Sequence, residues 1–248
     1  MAQIKANEAL VKALQTWNID HLYGIPGDSV DAVVDSLRTV RDQFKFYHVR
    51  HEEVASLAAA SYTKMTGKIG VALSIGGPGI VHLLNGMYDA KMDNVPQLII
   101  AGQTNSTLLG TKFFQETNIS KMVDDVAVYH HQIQKGDNVF EITNEAIRTA
   151  YEKKGVSVII CPNDLLTQKI KDTTNRAVDT TKPKPASPKF KSIKKAAKLI
   201  DKAKKPVMLI GLGTQHAKDE LREFIEAAKI PVIHTLPAKT ILADDHPY

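Results

Sequence analysis

Four ionisable residues in a row, Arg50-His51-Glu52-Glu53, stand between a short run carrying Phe44, Phe46, Tyr47 and Val49 and an alanine-rich segment that stops at Gly67. The aromatic, β-branched run suits a strand and the alanine-rich segment a helix, with Gly67 where a left-handed C-cap is wanted. Ligands of open α/β sheets collect outside the carboxyl ends of strands, so a carboxylate there could exchange a proton with a bound molecule. Acidic residues in a first helical turn also complement the macrodipole and the free N–H groups. Residue chemistry alone leaves both roles open.

Two glycine-proline turns are the next candidates. Gly24-Ile25-Pro26-Gly27 follows the short apolar run His21-Leu22-Tyr23, and Gly76-Gly77-Pro78-Gly79 follows Ile69 to Ile75. A glycine turn feeding a helix offers backbone N–H groups to an anion, or it is simply a tight turn that needs glycine's conformational range. It is not a P-loop, because the Lys-Ser/Thr ending is missing, and the third glycine of a dinucleotide fingerprint is absent. Cys161, the single cysteine, sits at the end of the apolar run Val156 to Ile160 and reads as a core residue. No histidine-cysteine spacing suggests a metal site.

The elements that must position these residues alternate. Asn7 is a candidate N-cap for a helix with Leu10, Val11 and Leu14 on one face, and Asp28 or Ser29 for a helix with Val30, Val33, Val34 and Leu37. Leu98 to Gly102 reads as a buried strand after Pro96, Thr104 to Gln115 as a long loop, Asn144 to Tyr151 as a helix and Val156 to Ile160 as a further strand. This order predicts an α/β fold, a doubly wound parallel sheet with helices on both faces. Between Lys171 and Lys205 twelve Lys and Arg face three Asp, while the rest of the chain is net −4. Interleaved aromatics are lacking there, so the stretch reads as a solvated linker and helix face rather than a nucleic-acid surface. Pro183, Pro185 and Pro188 mark the linker, and a second α/β unit follows: a helix over Ile193 to Leu199, a strand to Ile210, the turn Gly211-Leu212-Gly213, a helix over Glu220 to Ala228 and a strand at Pro231 to Ile233. The expected division is 1–178, a linker over 179–190, and 191–248 as an incomplete second α/β domain. No apolar run approaches a membrane span, which predicts a cytoplasmic protein without a membrane partner.

Taken together and in order, Arg50-His51-Glu52-Glu53, Gly24 to Gly27, Gly77-Pro78-Gly79, Val95-Pro96 and Phe114-Gln115-Glu116 resemble the thiamine-diphosphate-dependent decarboxylases and oxidases. The likeness spans Lys5 to Tyr248 and is greatest to the pyruvate oxidases of bacteria, with the acetolactate synthases next. It implies that Glu52 hydrogen-bonds the aminopyrimidine of thiamine diphosphate in apolar surroundings, favouring the imino tautomer that removes the thiazolium C2 proton. It assigns Ile25, Pro26, Gly27, Gly77, Pro78 and Gly79 to the walls of the cofactor pocket, and Phe114 and Gln115 to the substrate side. Gly211 and Gly213 would belong to an FAD-binding central domain. The implied reaction converts pyruvate, phosphate and oxygen to acetyl phosphate, CO2 and hydrogen peroxide. Relatives hold the diphosphate and Mg2+ through a Gly-Asp-Gly motif, which does not occur in these 248 residues. In the family that motif comes from another subunit, so a homo-oligomer with a shared site is expected, with this chain inactive alone. A non-catalytic half that pairs with a separate diphosphate-binding subunit is the other reading.

Overall fold

The computed structural model describes residues 2–183 and 186–248. Pro185, one of the expected linker prolines, lies outside them. The chain divides into two compact units, Met1–Lys184 and Pro185–Tyr248.

In the first unit β1 (Gln3–Lys5) and α1 (Ala6–Thr16) lead to β2 (His21–Gly24), α2 (Asp31–Thr39) and β3 (Lys45–His48). Then come α3 (Glu52–Thr66), β4 (Gly70–Ser74), α4 (Pro78–Met92), β5 (Gln97–Gln103), α5 (Ile119–Val123) and β6 (Ala127–Gln132). The unit closes with α6 (Val139–Lys153), β7 (Val156–Pro162), α7 (Asn163–Leu166) and β8 (Lys169–Lys171). Six strands form one parallel sheet in the order β3-β2-β4-β5-β7-β6. β1 and β8 form a separate antiparallel pair, Ile4 opposite Ile170.

The predicted doubly wound architecture is therefore observed, and the strands show why. Leu98 and Ile100 of β5 join α1, α2 and α6 in one core, while Ile99 and Ala101 join α3, α4 and α5 in the other. β7 splits the same way, Ile159 and Cys161 against Val158 and Ile160. Side chains alternate across a strand, so a run that is apolar at every position must be covered on both faces.

Two expected helix caps are corrected. Asn7 lies inside α1, 6% exposed, and its Nδ2 donates to Ala32 O at 2.7 Å, tying α1 to α2; Lys5 is the N-cap. Helix α2 starts at Asp31 with Val30 as N-cap, and neither Asp28 nor Ser29 caps it. Gly67 is the left-handed C-cap of α3, with φ 67°. Lys182 donates to Gly67 O at 2.6 Å and lies 5.0 Å from the centre of the Tyr151 ring.

The second unit contains α8 (Phe190–Lys202), β9 (Met208–Ile210), α9 (Lys218–Ala228) and β10 (Val232–His234). The two strands pair in parallel, and Ile210, Ile225, Ala238, Ile241 and Leu242 form its core.

Candidate active site

Strand order reverses between β2 and β4: the chain leaves β2 for β3 on one side and returns to β4 on the other. Such a reversal opens a crevice at the carboxyl ends of the strands. Gly24 to Gly27 leave β2 there and Gly76 to Gly79 leave β4, next to each other because Gly24 pairs with Leu73. Gly27 packs on Ile75, and Ser29 Oγ accepts the Gly76 N–H at 3.2 Å, joining the loops. Gly77 has φ 60°, and a Cβ there would fall 2.9 Å from Gln115 O and 3.0 Å from its Cα. Pro78 then opens α4 from the first helical turn, where its missing N–H costs nothing.

Glu52 begins α3 at the carboxyl end of β3. His51 is the N-cap, its Nδ1 accepting the Glu53 N–H at 3.3 Å. The Glu52 side chain is 12% exposed, and its Oε2 lies 2.9 Å from Nδ1 of His82 on α4. The His51 and His82 rings stack with centroids 4.4 Å apart. Glu53 accepts from Asn85 Nδ2. Its hydrogen-bond partner is an imidazole, and the side chain is otherwise largely shielded from water. Donor atoms of His51, Glu52 and His82 lie within 4.8 Å of one another. Both Nδ1 atoms are engaged with the start of α3, that of His51 by the Glu53 N–H and that of His82 by Glu52 Oε2.

Helices α3 and α4 are held close at Gly86, where a Cβ would lie 2.5 Å from Leu57 N and 2.6 Å from Ser56 Cβ. This approach sets the distance between Glu52 and His82, one residue on each helix.

The loop after β5 carries Phe114 and Gln115. They line a cleft of about 200 Å³ together with Asp28, Ser29, Gly76 and the Gln103 to Asn105 exit of β5. Phe114 is 78% exposed, so core packing does not explain it. Gln115 has φ 60°, and Glu116 organises the turn by accepting the Gly110 N–H and, at 3.1 Å, the Phe113 N–H. The Gly110 N–H, ahead of the other loop amides, holds the Glu116 carboxyl below the usual glutamate range against a smaller opposing effect of desolvation. Glu52 does not line this cleft; the two are connected through α4, which starts beside Gln115 and carries His82. Cys161 is fully buried, and burial pushes its thiol up to about 12, so it is not a nucleophile.

In the second unit Gly211 follows β9 and Gly213 lies in a short 3-10 turn. Thr235, after β10, donates its N–H to Ile210 O at 3.0 Å, which puts the segment Thr235 to Lys239 beside that turn. A Cβ on Gly213 would meet nothing within 4 Å. A Cβ on Gly211 would come no nearer than 4.0 Å, to Thr235 Oγ1, so the protein itself crowds neither position.

Comparison with known proteins decides the family. Residues 4–122 match the model of the thiamine pyrophosphate enzyme N-terminal TPP binding domain, and residues 193–248 that of the thiamine pyrophosphate enzyme central domain. The chain belongs to the thiamine pyrophosphate enzymes. It is 46% identical over 248 residues to the protein YdaP of Bacillus subtilis, covering 100% of this chain and 43% of that one. It is 39% identical over 246 residues to the pyruvate oxidase of Lactiplantibacillus plantarum, covering 98% and 41%. Against an acetolactate synthase of Mycobacterium leprae the identity is 33% over 248 residues, covering 98% and 40%. The chain spans about two fifths of the length of these relatives.

The donor set of this thiamine pyrophosphate enzyme suits an aminopyrimidine: Glu52 is shielded, Oε2 is occupied by His82, and Oε1 has no hydrogen-bond partner among the described residues. His82 and Asn85 were not legible as site residues in isolation. Their one available signal is their position one and two turns into the helix that Gly77-Pro78 opens.

Proposed function

We propose that this chain supplies the aminopyrimidine-facing part of a pyruvate oxidase. The observation that carries this is the shielded Glu52 carboxylate at the start of α3, one oxygen held and the other free. Thiamine diphosphate (thiamine pyrophosphate), when bound, supplies the electron sink for loss of CO2 from a 2-oxo acid. Glu52 would hold the aminopyrimidine and give or take a proton at Oε1. Backbone at Gly77 to Gly79 and Ile25 to Gly27 would wall the pocket, while Phe114 and Gln115 would shield pyruvate from water. The second unit would take FAD at the Gly211 to Gly213 turn, supported by its place at the carboxyl ends of two parallel strands beside Thr235. Mg2+ and the diphosphate would be held outside these residues, in a homo-oligomer whose site is shared between subunits. A cytoplasmic location goes with this reading; among the described residues no helix is long and apolar enough to cross a membrane.

Product analysis tests it. Incubated with pyruvate, phosphate and oxygen, the protein joined to its diphosphate-binding partner region should yield acetyl phosphate, CO2 and hydrogen peroxide in equal amounts. Acetolactate without peroxide would instead assign the acetolactate synthase reaction. No turnover of any 2-oxo acid in that assembly would leave a non-catalytic pairing module.

A further inference from the structure

The Glu52–His82 contact shows how the carboxylate is held and re-supplied with protons; the inference rests on the reading of Glu52 given above. An ionised carboxylate can only accept, so the 2.9 Å contact then puts the proton on His82 Nδ1 and leaves Nε2 for another partner. The Glu52 side chain is 12% exposed and that of His82 42%. The imidazole therefore reaches from a shielded carboxylate to water. Stacking on His51 at 4.4 Å steadies the ring, and His51 is itself fixed by the Glu53 N–H.

We propose that His82 is the positioning residue of Glu52, holding Oε2 so that Oε1 is presented to the ligand, and that it carries protons between Glu52 and bulk water. Nε2 takes a proton from water, and the imidazolium gives its Nδ1 proton to Oε2; the reverse sequence returns it. One proton moves and nothing is oxidised or reduced. The ionisable groups in contact with this ring are Glu52 and His51, both from the start of α3, and Glu53 lies 3.7 Å from His51 Nδ1 behind them. Farther along the helices Lys64 pairs with Asp89 at 2.7 Å and Asp93 at 2.6 Å, so these charges satisfy one another.

The test combines two readouts. One is the nitrogen-15 NMR spectrum of the His82 ring in the full chain without cofactor, in the parent and in Glu52→Gln. The other is the pH dependence of deuterium exchange at C2 of bound thiamine diphosphate in the assembled protein, for the parent, Glu52→Gln, His82→Leu and His82→Gln. At neutral pH the ring nitrogen shifts should show the proton on His82 Nδ1 in the parent, and that preference should weaken in Glu52→Gln, whose amide no longer demands a donor. His82→Leu should slow C2 exchange by roughly 10²-fold, the lower end of what a positioned acid–base group contributes. His82→Gln keeps an N–H for Oε2 but cannot relay, so it should recover part of the rate and lose the histidine limb of the pH profile. Parental rates and profiles in both His82 variants would overturn the proposal, as would a His82 ring tautomer indifferent to Glu52→Gln. Exchange untouched by Glu52→Gln would overturn the reading of Glu52 itself, and that variant alone tells the two failures apart.

Discussion

Gly77 meets two demands at one residue: a positive φ of 60° and an approach to Gln115 that leaves no room for a Cβ. Gly77→Ala should therefore cost about 1–3 kcal/mol, the usual range for strained backbone. Thermal denaturation measures it, with altered Gln115 and Phe114 resonances as the local sign. Glu116 acts on the same loop through charge. Its carboxyl is held low by the Gly110 N–H first, so the folded state binds fewer protons than the unfolded one around the usual glutamate range. Its contribution is fully present above that range and is lost as pH falls through the lowered folded value. Hydrogen-exchange protection of Gly110 and Phe113 should drop on acidification in the parent, and Glu116→Gln should lower it already at neutral pH and remove the acid dependence. The glycines of this site were legible in the sequence because turn chemistry is local. The partner of Glu52 was not, because His82 lies thirty residues away in sequence and is delivered by packing.

Helix α4 is the element that connects the two parts of the site, since it begins at the Gly77 turn and carries His82. Its distance from α3 is set at Gly86, where Ser56 and Leu57 leave no space for a side chain. Gly86→Ala should force the helices apart, costing roughly 1–3 kcal/mol as overpacking does, and should weaken the Glu52–His82 bond. Denaturant unfolding gives the first effect and the His82 ring nitrogen shifts the second. The legible elements were those whose residues satisfy two faces at once: β4, β5 and β7 are buried at every position, and their apolar runs announce it. Strand β6, Ala127-Val128-Tyr129-His130-His131-Gln132, is half-buried at the sheet edge, and its polar residues hide it. The β1–β8 pair is missed for another reason: three-residue strands from opposite ends of the unit carry no local period.

The whole molecule consists of units with unequal cores. Both faces of a six-stranded sheet are covered in the first unit, whereas among the described residues the second buries Ile210, Ile225, Ile230, Ala238, Ile241 and Leu242 around two strands. Small sheets bury too little apolar surface to be stable on their own. Urea titration read by amide NMR should therefore show the β9 and β10 amides losing protection at lower urea than those of β5 and β7. Coincident loss would mean that the units unfold together. Whether Glu52 does the acid–base work of the bound cofactor is decided by pyruvate turnover in Glu52→Gln within the assembled protein. Turnover should fall by at least about 10²-fold, with the fold and the His51–Glu53 cap intact. Parental turnover in that variant would contradict that role.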